Sequence, residues 1–125
     1  MSEREHSGLG RQVTSLDGTL AALADPNRRA AVELLRKGPR RAGELAASLD
    51  LSPPAMSRHL RVLRTSGLVA EDHGGEDARV RIYRLEQKPF SELKGWVEEV
   101  ERFWSLQLQS FKRHVESRRR KDRAR

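Results

Sequence analysis

Apolar positions repeat at helical spacing in the first half of the chain, give way to two short β-like runs, and return to helical spacing toward the C-terminus. Residues 1–12 lack the pattern; polar and glycine-containing, they read as a flexible N-terminal segment. Val13, Leu16, Leu20 and Leu23 then form one stripe of a short helix. Asp25-Pro26 starts a second, with a carboxylate N-cap and then proline at the first helical position, where its missing N–H costs nothing. This helix is predicted to reach about Lys37, burying Ala31, Val32, Leu34 and Leu35, with Gly38-Pro39 as its stop. A third, around Gly43 to Leu49, buries Leu45, Ala46 and Leu49, and Asp50-Leu51 makes the turn after it. Ser52-Pro53 repeats the cap-and-proline start for a fourth helix to about Ser66. Met56, Leu60 and Leu63 lie on its inner face, and Gly67 suits the left-handed residue just past its end.

Leu68 to His73 and Arg79 to Leu85 read as the strands of a hairpin, joined by Gly74-Gly75-Glu76-Asp77-Ala78, whose glycine pair permits a tight turn. Pro89 opens a long helix to roughly Val115, and a basic tail follows. The predicted order is ααααββα, mainly α with a small β-hairpin, in one domain over residues 13–117 with a disordered tail over 118–125. Helix, tight turn and helix across residues 40–67 make a helix-turn-helix, and a hairpin directly after one is a wing. The expected fold is therefore a winged helix-turn-helix.

With 125 residues the chain is long enough for a real core. It has no cysteine, which excludes disulfides, thiolate metal sites, iron–sulfur clusters and cysteine nucleophiles. No apolar run reaches the roughly 18 residues of a membrane helix, so neither a signal peptide nor a membrane span is expected, and the expected location is cytoplasmic. A formal charge of +7 makes nucleic acid the leading partner class. Residues 118–125 hold six basic residues against Asp122, which leaves +2 on the rest. Within that body, Arg28 to Arg41 carries six basic residues against Glu33, whereas Glu86 to Glu101 carries five glutamates against two lysines. Ser52 to Ser66 carries Arg58, Arg61 and Arg64 with no acid. The body is polarised, with one basic side.

With its apolar residues inward, the fourth helix turns Pro54, Ser57, Arg58 and Arg61 outward, with Ala55 near the N-terminal edge of that face. Serine and arginine meet base edges, arginine best at the two acceptors of guanine, and the free N–H groups of a helix start suit a phosphate. The plain alternative is a solvated face that happens to lack acids. Three arginines without one carboxylate, in a chain 34% charged, weigh against it, and the expected role is contact with DNA.

Five strings now stand in order. They are Asp25-Pro26-Asn27-Arg28-Arg29, Gly43-Glu44-Leu45-Ala46, Leu51-Ser52-Pro53-Pro54-Ala55-Met56-Ser57-Arg58-His59-Leu60-Arg61-Val62-Leu63, Gly67-Leu68-Val69 and Arg81-Ile82-Tyr83-Arg84-Leu85. In that order and spacing they resemble the ArsR/SmtB family of bacterial repressors, over about residues 14–115. The resemblance implies a winged-helix homodimer that sits on an operator, often its own promoter, and releases it in response to a signal. It places recognition-helix contacts on Ser52, Pro54, Ala55, Ser57, Arg58 and Arg61, and wing contacts on the hairpin around Gly74 to Arg81. Many members sense metal. One family site uses cysteines at the start of the helix-turn-helix, where this chain has Arg41-Ala42-Gly43-Glu44-Leu45. The other uses an Asp-x-His pair and a His-x-x-Glu or His-x-x-His pair on the last helix, where this chain has His114 followed three residues later by Ser117. His6, His59, His73 and His114 are too scattered in sequence to suggest one ligand set. His59, within the family's Ser-x-His-Leu string, reads as a partly packed structural residue. The chain resembles a member without a metal site, and neither metal nor cofactor is expected.

Leu93, Val97, Val100, Trp104, Leu108, Phe111 and Val115 make a continuous seam on the last helix, widened by Phe90, Trp96, Phe103 and Leu106. A helix of about 27 residues is roughly 40 Å long, more than so small a domain can cover, so much of the seam needs a second chain. The family counterpart pairs with the first helix across a two-fold axis, which would bring in Leu16, Leu20 and Leu23. Both tryptophans suit an interface core. A small-molecule pocket between these aromatics is the lesser alternative. Arg79 and Arg81 on the wing are expected at the DNA backbone or minor groove, although Glu76 and Asp77 at the tip repel phosphate. The tail from Arg118 would add salt-sensitive affinity for any sequence, or serve solubility alone.

The resulting expectation is a dimeric, sequence-specific DNA-binding repressor of its own or an adjacent operon, on an inverted-repeat operator with half-sites roughly 34–36 Å apart. The alternative is a protein-interaction module that keeps the fold but no longer reads DNA. An enzyme is not expected, because no paired histidine and carboxylate, phosphate loop or activated nucleophile stands at a workable spacing. The residues leave open the inducer, or a partner protein in its place.

Overall fold

Eight elements follow one another in the structure, a computed structural model that describes residues 7–73 and 79–123. They are α1 (Ser7–Leu23), α2 (Pro26–Arg36), β1 (Arg40–Arg41), α3 (Ala42–Ser48), α4 (Pro53–Thr65), β2 (Val69–His73), β3 (Arg81–Leu85) and α5 (Gln87–Arg123). This is the mainly helical, winged helix-turn-helix arrangement that the sequence predicts. α1 begins at Ser7 rather than Val13, so residues 7–12 are helical where a flexible segment was expected. Leu9 stands four residues before Val13 and carries the apolar period one turn upstream. Residues 1–6 of the expected segment lie outside the described residues.

The corner between α1 and α2 is closed from both sides. Asp25 is extended, and its Oδ1 accepts from the N–H groups of Asn27 and Arg28 at 2.8 and 3.1 Å, so it caps α2 as predicted. Arg28 donates back to the carbonyls of Ala22 (2.7 Å) and Ala21 (3.2 Å), and Arg29 to those of Leu23 (2.8 Å) and Ala24 (3.2 Å). These carbonyls lie at or just past the end of α1, where a cation also suits the helix dipole. Two residues counted into the basic side are thus engaged within the fold.

The helix-turn-helix is built from α3 and α4, each ending in a Schellman turn. After α3, Asp50 N–H donates to Ala47 O at 3.3 Å and Leu51 N–H to Ala46 O at 2.9 Å, with Asp50 at φ 55°. α4 starts on Ser52, whose Oγ accepts from Ala55 N–H at 3.3 Å. It ends with Gly67 N–H on Arg64 O (3.0 Å) and Leu68 N–H on Leu63 O (2.9 Å), with Gly67 at φ 81°. That conformation favours glycine, and Leu63 and Leu68, the apolar pair that accompanies the motif, are both fully buried.

The hairpin gains a strand that the sequence pattern does not reveal. β1 pairs antiparallel with β3, Arg40 opposite Tyr83 and Arg41 opposite Ile82, which gives the order β1-β3-β2. Two adjacent arginines carry no apolar alternation; the strand exists because β3 offers an edge to pair with. The β2–β3 register runs from Val69 opposite Leu85 to His73 opposite Arg81. The expected wing tip, Gly74 to Ala78 with Glu76 and Asp77, lies outside the described residues.

Ala22, Ala31, Leu35, Leu45, Ala46, Met56, Leu60, Leu63, Leu68, Val69 and Tyr83 form the core, with Leu23, Val32, Leu34, Leu49 and Phe90 packed against it. Among the described residues, those up to Glu92 form one compact unit and those from Leu93 a second. α5 starts at Gln87 rather than Pro89, remains helical through Arg123, and has no buried residue. Residues 118–123 are therefore a basic helical end and not a disordered tail; 124–125 lie outside the described residues. Arginine and lysine are good helix formers, and Arg120, Lys121 and Arg123 in the last turn suit the dipole. No helix among the described residues is long and apolar enough to cross a membrane.

Candidate nucleic-acid interface

Met56, Leu60 and Leu63, each no more than 1% exposed, anchor α4 from inside. On the other side Ser52, Pro54, Ser57, Arg58 and Arg61 are exposed and Ala55 is half-buried. Among the described residues, the Arg58 and Arg61 side chains have no hydrogen-bond or ion-pair partner. Ser52 uses its oxygen as the cap acceptor and keeps its O–H to donate.

Between α4 and the base of the wing runs a groove of about 620 Å³. Ser57, Arg61 and Arg64 line it from α4, Arg41 from β1, and Arg79, Arg81 and Tyr83 from the hairpin side. Among the described residues of the lining the one acid is Glu71, whose side chain is 11% exposed. Its Oε2 receives Arg64 Nη1 at 2.5 Å and its Oε1 receives Arg81 Nη1 at 2.8 Å. The Tyr83 hydroxyl donates to Oε2 at 3.4 Å. Burial, and then the Glu71 carboxylate, push that hydroxyl above its usual 10.0, so it stays protonated and able to donate.

His59 is half-buried on α4, its Nδ1 4.0 Å from Asp25 Oδ1 and 3.4 Å from Arg28 Nη1. It stands beside the cap of α2, in the partly packed position expected of it. The Arg28 backbone N–H, with smaller help from Asn27 N–H, His59 and the Arg28 charge, holds the Asp25 carboxyl below its usual 3.8 against the opposing effect of burial. On α5, Trp96, Val97, Val100, Phe103, Trp104, Leu106, Leu108 and Phe111 are exposed, the last five of the aromatic and leucine positions from Phe103 onward by more than half. On α1, Leu20 is exposed and Leu16 and Leu23 are half-buried.

Residues 25–71, from the cap of α2 into β2, match the family described as "Bacterial regulatory protein, arsR family". Over 103 residues the chain is 39% identical to an HTH-type transcriptional regulator of Mycobacterium tuberculosis, covering 82% of this chain and 91% of that protein. The chain belongs to the ArsR family. It is a DNA-binding transcriptional regulator and not an enzyme. The transcriptional repressor SdpR of Bacillus subtilis is 30% identical over 61 residues, 49% of this chain and 68% of that one. A solved ArsR-like transcriptional regulator from Rhodococcus sp. matches with a TM-score of 0.69 at 27% identity, over 80% of this chain and 92% of the other.

In this ArsR-family chain the structure leaves Pro54, Ser57, Arg58 and Arg61 of α4 exposed with Ala55 half-buried, and brings Arg79 and Arg81 to the same groove as Arg61. It also brings in two arginines that the sequence analysis counts as basic charge without assigning them a contact. Arg64 stands seven residues after Ser57 and three after Arg61, so its place on the same face was available in the sequence. Arg41 had no such signal, because the strand that carries it has none. Arg81, expected at DNA, is ion-paired with Glu71 and reaches the groove from that fixed position. Among the described residues, no three His, Asp or Glu side chains stand together to hold a metal ion.

Proposed function

We propose that this ArsR-family regulator works in the cytoplasm as a homodimer that represses its own or an adjacent operon. Its two copies of α4 enter successive major grooves of an inverted-repeat operator. The observation that carries this reading is the outward side of α4, where Ser57, Arg58 and Arg61 stand exposed on a helix without an acid. Arg58 and Arg61 take base edges, Ser52, Pro54 and Ala55 approach the backbone at the helix start, and Arg79 and Arg81 take phosphates from the wing. Similarity to a named repressor supports the sense of regulation.

The second copy is argued from α5. At 3.6 residues per turn, Trp96, Val100, Phe103, Trp104, Leu108 and Phe111 fall within about 140° of arc. Monomeric proteins rarely leave so continuous an apolar stripe in water. Leu16, Leu20 and Leu23 of α1 complete the proposed interface.

Selection from a pool of random duplexes, followed by footprinting of the enriched sequence, tests the reading. Two inverted half-sites with centres roughly 34–36 Å apart are expected. Sedimentation should give twice the 14.3 kDa chain mass, and Trp104→Glu with Phe111→Glu should give a helical monomer. Wild-type protein that sediments as a single chain overturns the dimer, and failure to enrich any duplex favours the protein-interaction module instead.

A further inference from the structure

Glu71 is the feature that the reading of α4 leaves unused. It sits on β2, Arg64 sits near the end of α4, and Arg81 sits on β3, so one carboxylate ties the helix to both strands of the wing. We infer that Glu71 is a positioning residue: by holding Arg64 and Arg81 together it fixes the wing against α4 and sets the groove that a DNA strand's phosphates enter. The inference rests on α4 being the element that reads DNA.

The physical argument starts from repulsion. Two guanidinium groups drawn to one place repel each other unless an anion lies between them, and here each carboxylate oxygen takes one. With 11% of its side chain exposed, Glu71 is shielded from the water and salt that weaken surface pairs. Tyr83, buried and held protonated, donates to the same carboxylate and steadies it. The arginines themselves remain 47% and 56% exposed. Each has five N–H donors, so one bond to Glu71 leaves others to face a phosphate. The acid thus lowers the charge of the groove yet aims it. An acid that only opposed DNA would stand at the exposed rim, unbonded.

The test compares two duplexes of equal length, the one enriched from a random pool by wild-type protein and one of mixed sequence, together with thermal melting of the full chain. Glu71→Gln keeps the shape and removes the charge. Its preference for the enriched duplex is expected to fall about tenfold, comparable with losing one oriented arginine contact. Its affinity for mixed sequence should hold or rise, because a negative charge has left the groove. Arg64→Gln breaks the same link from its exposed end and should lower the preference alike, and the double variant should lose no more than either single one. Parallel loss of both affinities in Glu71→Gln, an unchanged preference, or additive losses of preference in the double variant overturn the inference. Wild-type protein with no preference at all overturns the reading of α4 as well, whereas a preference kept in Glu71→Gln overturns the role of Glu71 alone.

Discussion

Arg28 donates from Nε to the carbonyl of Ala22 at 2.7 Å, across the corner where α1 gives way to α2. The bond is charge-assisted and partly buried, and it answers a carbonyl that α1 itself cannot pair. Arg28→Ala is expected to lower folding stability by about 1–2 kcal/mol, read from the urea midpoint. DNA affinity measured well below the transition should stay at the wild-type level. Lost affinity with unchanged stability would place Arg28 on DNA instead.

Asp50 holds a left-handed backbone, φ 55°, in the turn between α3 and α4. Side chains resist that region, aspartate less than most and glycine not at all. Asp50→Gly should therefore be neutral or stabilising by up to about 1 kcal/mol, and Asp50→Ala destabilising. A melting order of glycine, then aspartate, then alanine checks this, and the reverse order would show that the Asp50 side chain supports the turn more than its backbone strains it.

Asp25 gives the corner a pH dependence with a definite sign. Its folded carboxyl lies below the usual 3.8, mainly through the Arg28 N–H, so the charged form is stabilised by folding. That contribution is present at neutral pH and is lost as pH falls through 3.8 and below. Asparagine keeps the capping oxygen without the charge. Wild type should be more stable than Asp25→Asn near neutrality, with the two unfolding curves converging in acid; a gap that persists in acid would refute the assignment.

The parts of the fold legible beforehand were those set by neighbours in sequence. Asp25-Pro26, Ser52-Pro53 and Gly67 mark helix ends through bonds to residues two to five positions away, and Met56, Leu60 and Leu63 mark an inner face by their spacing. What escaped notice depends on distant partners. β1 needs β3, about forty residues downstream in a chain whose local pattern there is two arginines. Arg28 and Arg29 look like solvent-facing charge until α1 presents its carbonyls to them. Glu71, an ordinary acid in a strand, takes its meaning from Arg64 and Arg81. The helical state of residues 118–123 was missed for another reason: a run of like charge reads as a tail, yet arginine and lysine favour helix and the dipole accepts them at its C-terminal end.

Arg58 and the basic end of α5 should respond differently to change. Arg58→Ala is expected to cost about 1–3 kcal/mol on the enriched duplex and to relax selectivity at one base position. A chain ending at Ser117 should bind all sequences about equally more weakly, with a flatter dependence on salt, because it neutralises fewer phosphates. Binding isotherms at several salt concentrations separate the two, and a truncated chain with the wild-type salt slope would show that the basic end does not touch DNA.

The Ser52 cap, the closing turn at Gly67 and three buried side chains secure α4 without help from Ser57, Arg58 or Arg61. On the proposed reading of α4, folding and target choice draw on separate sets of residues within a single helix. Those three positions are exposed and open to replacement without repacking the core beneath them, so the proposed contacts predict a scaffold re-aimed at new operators by surface exchange alone.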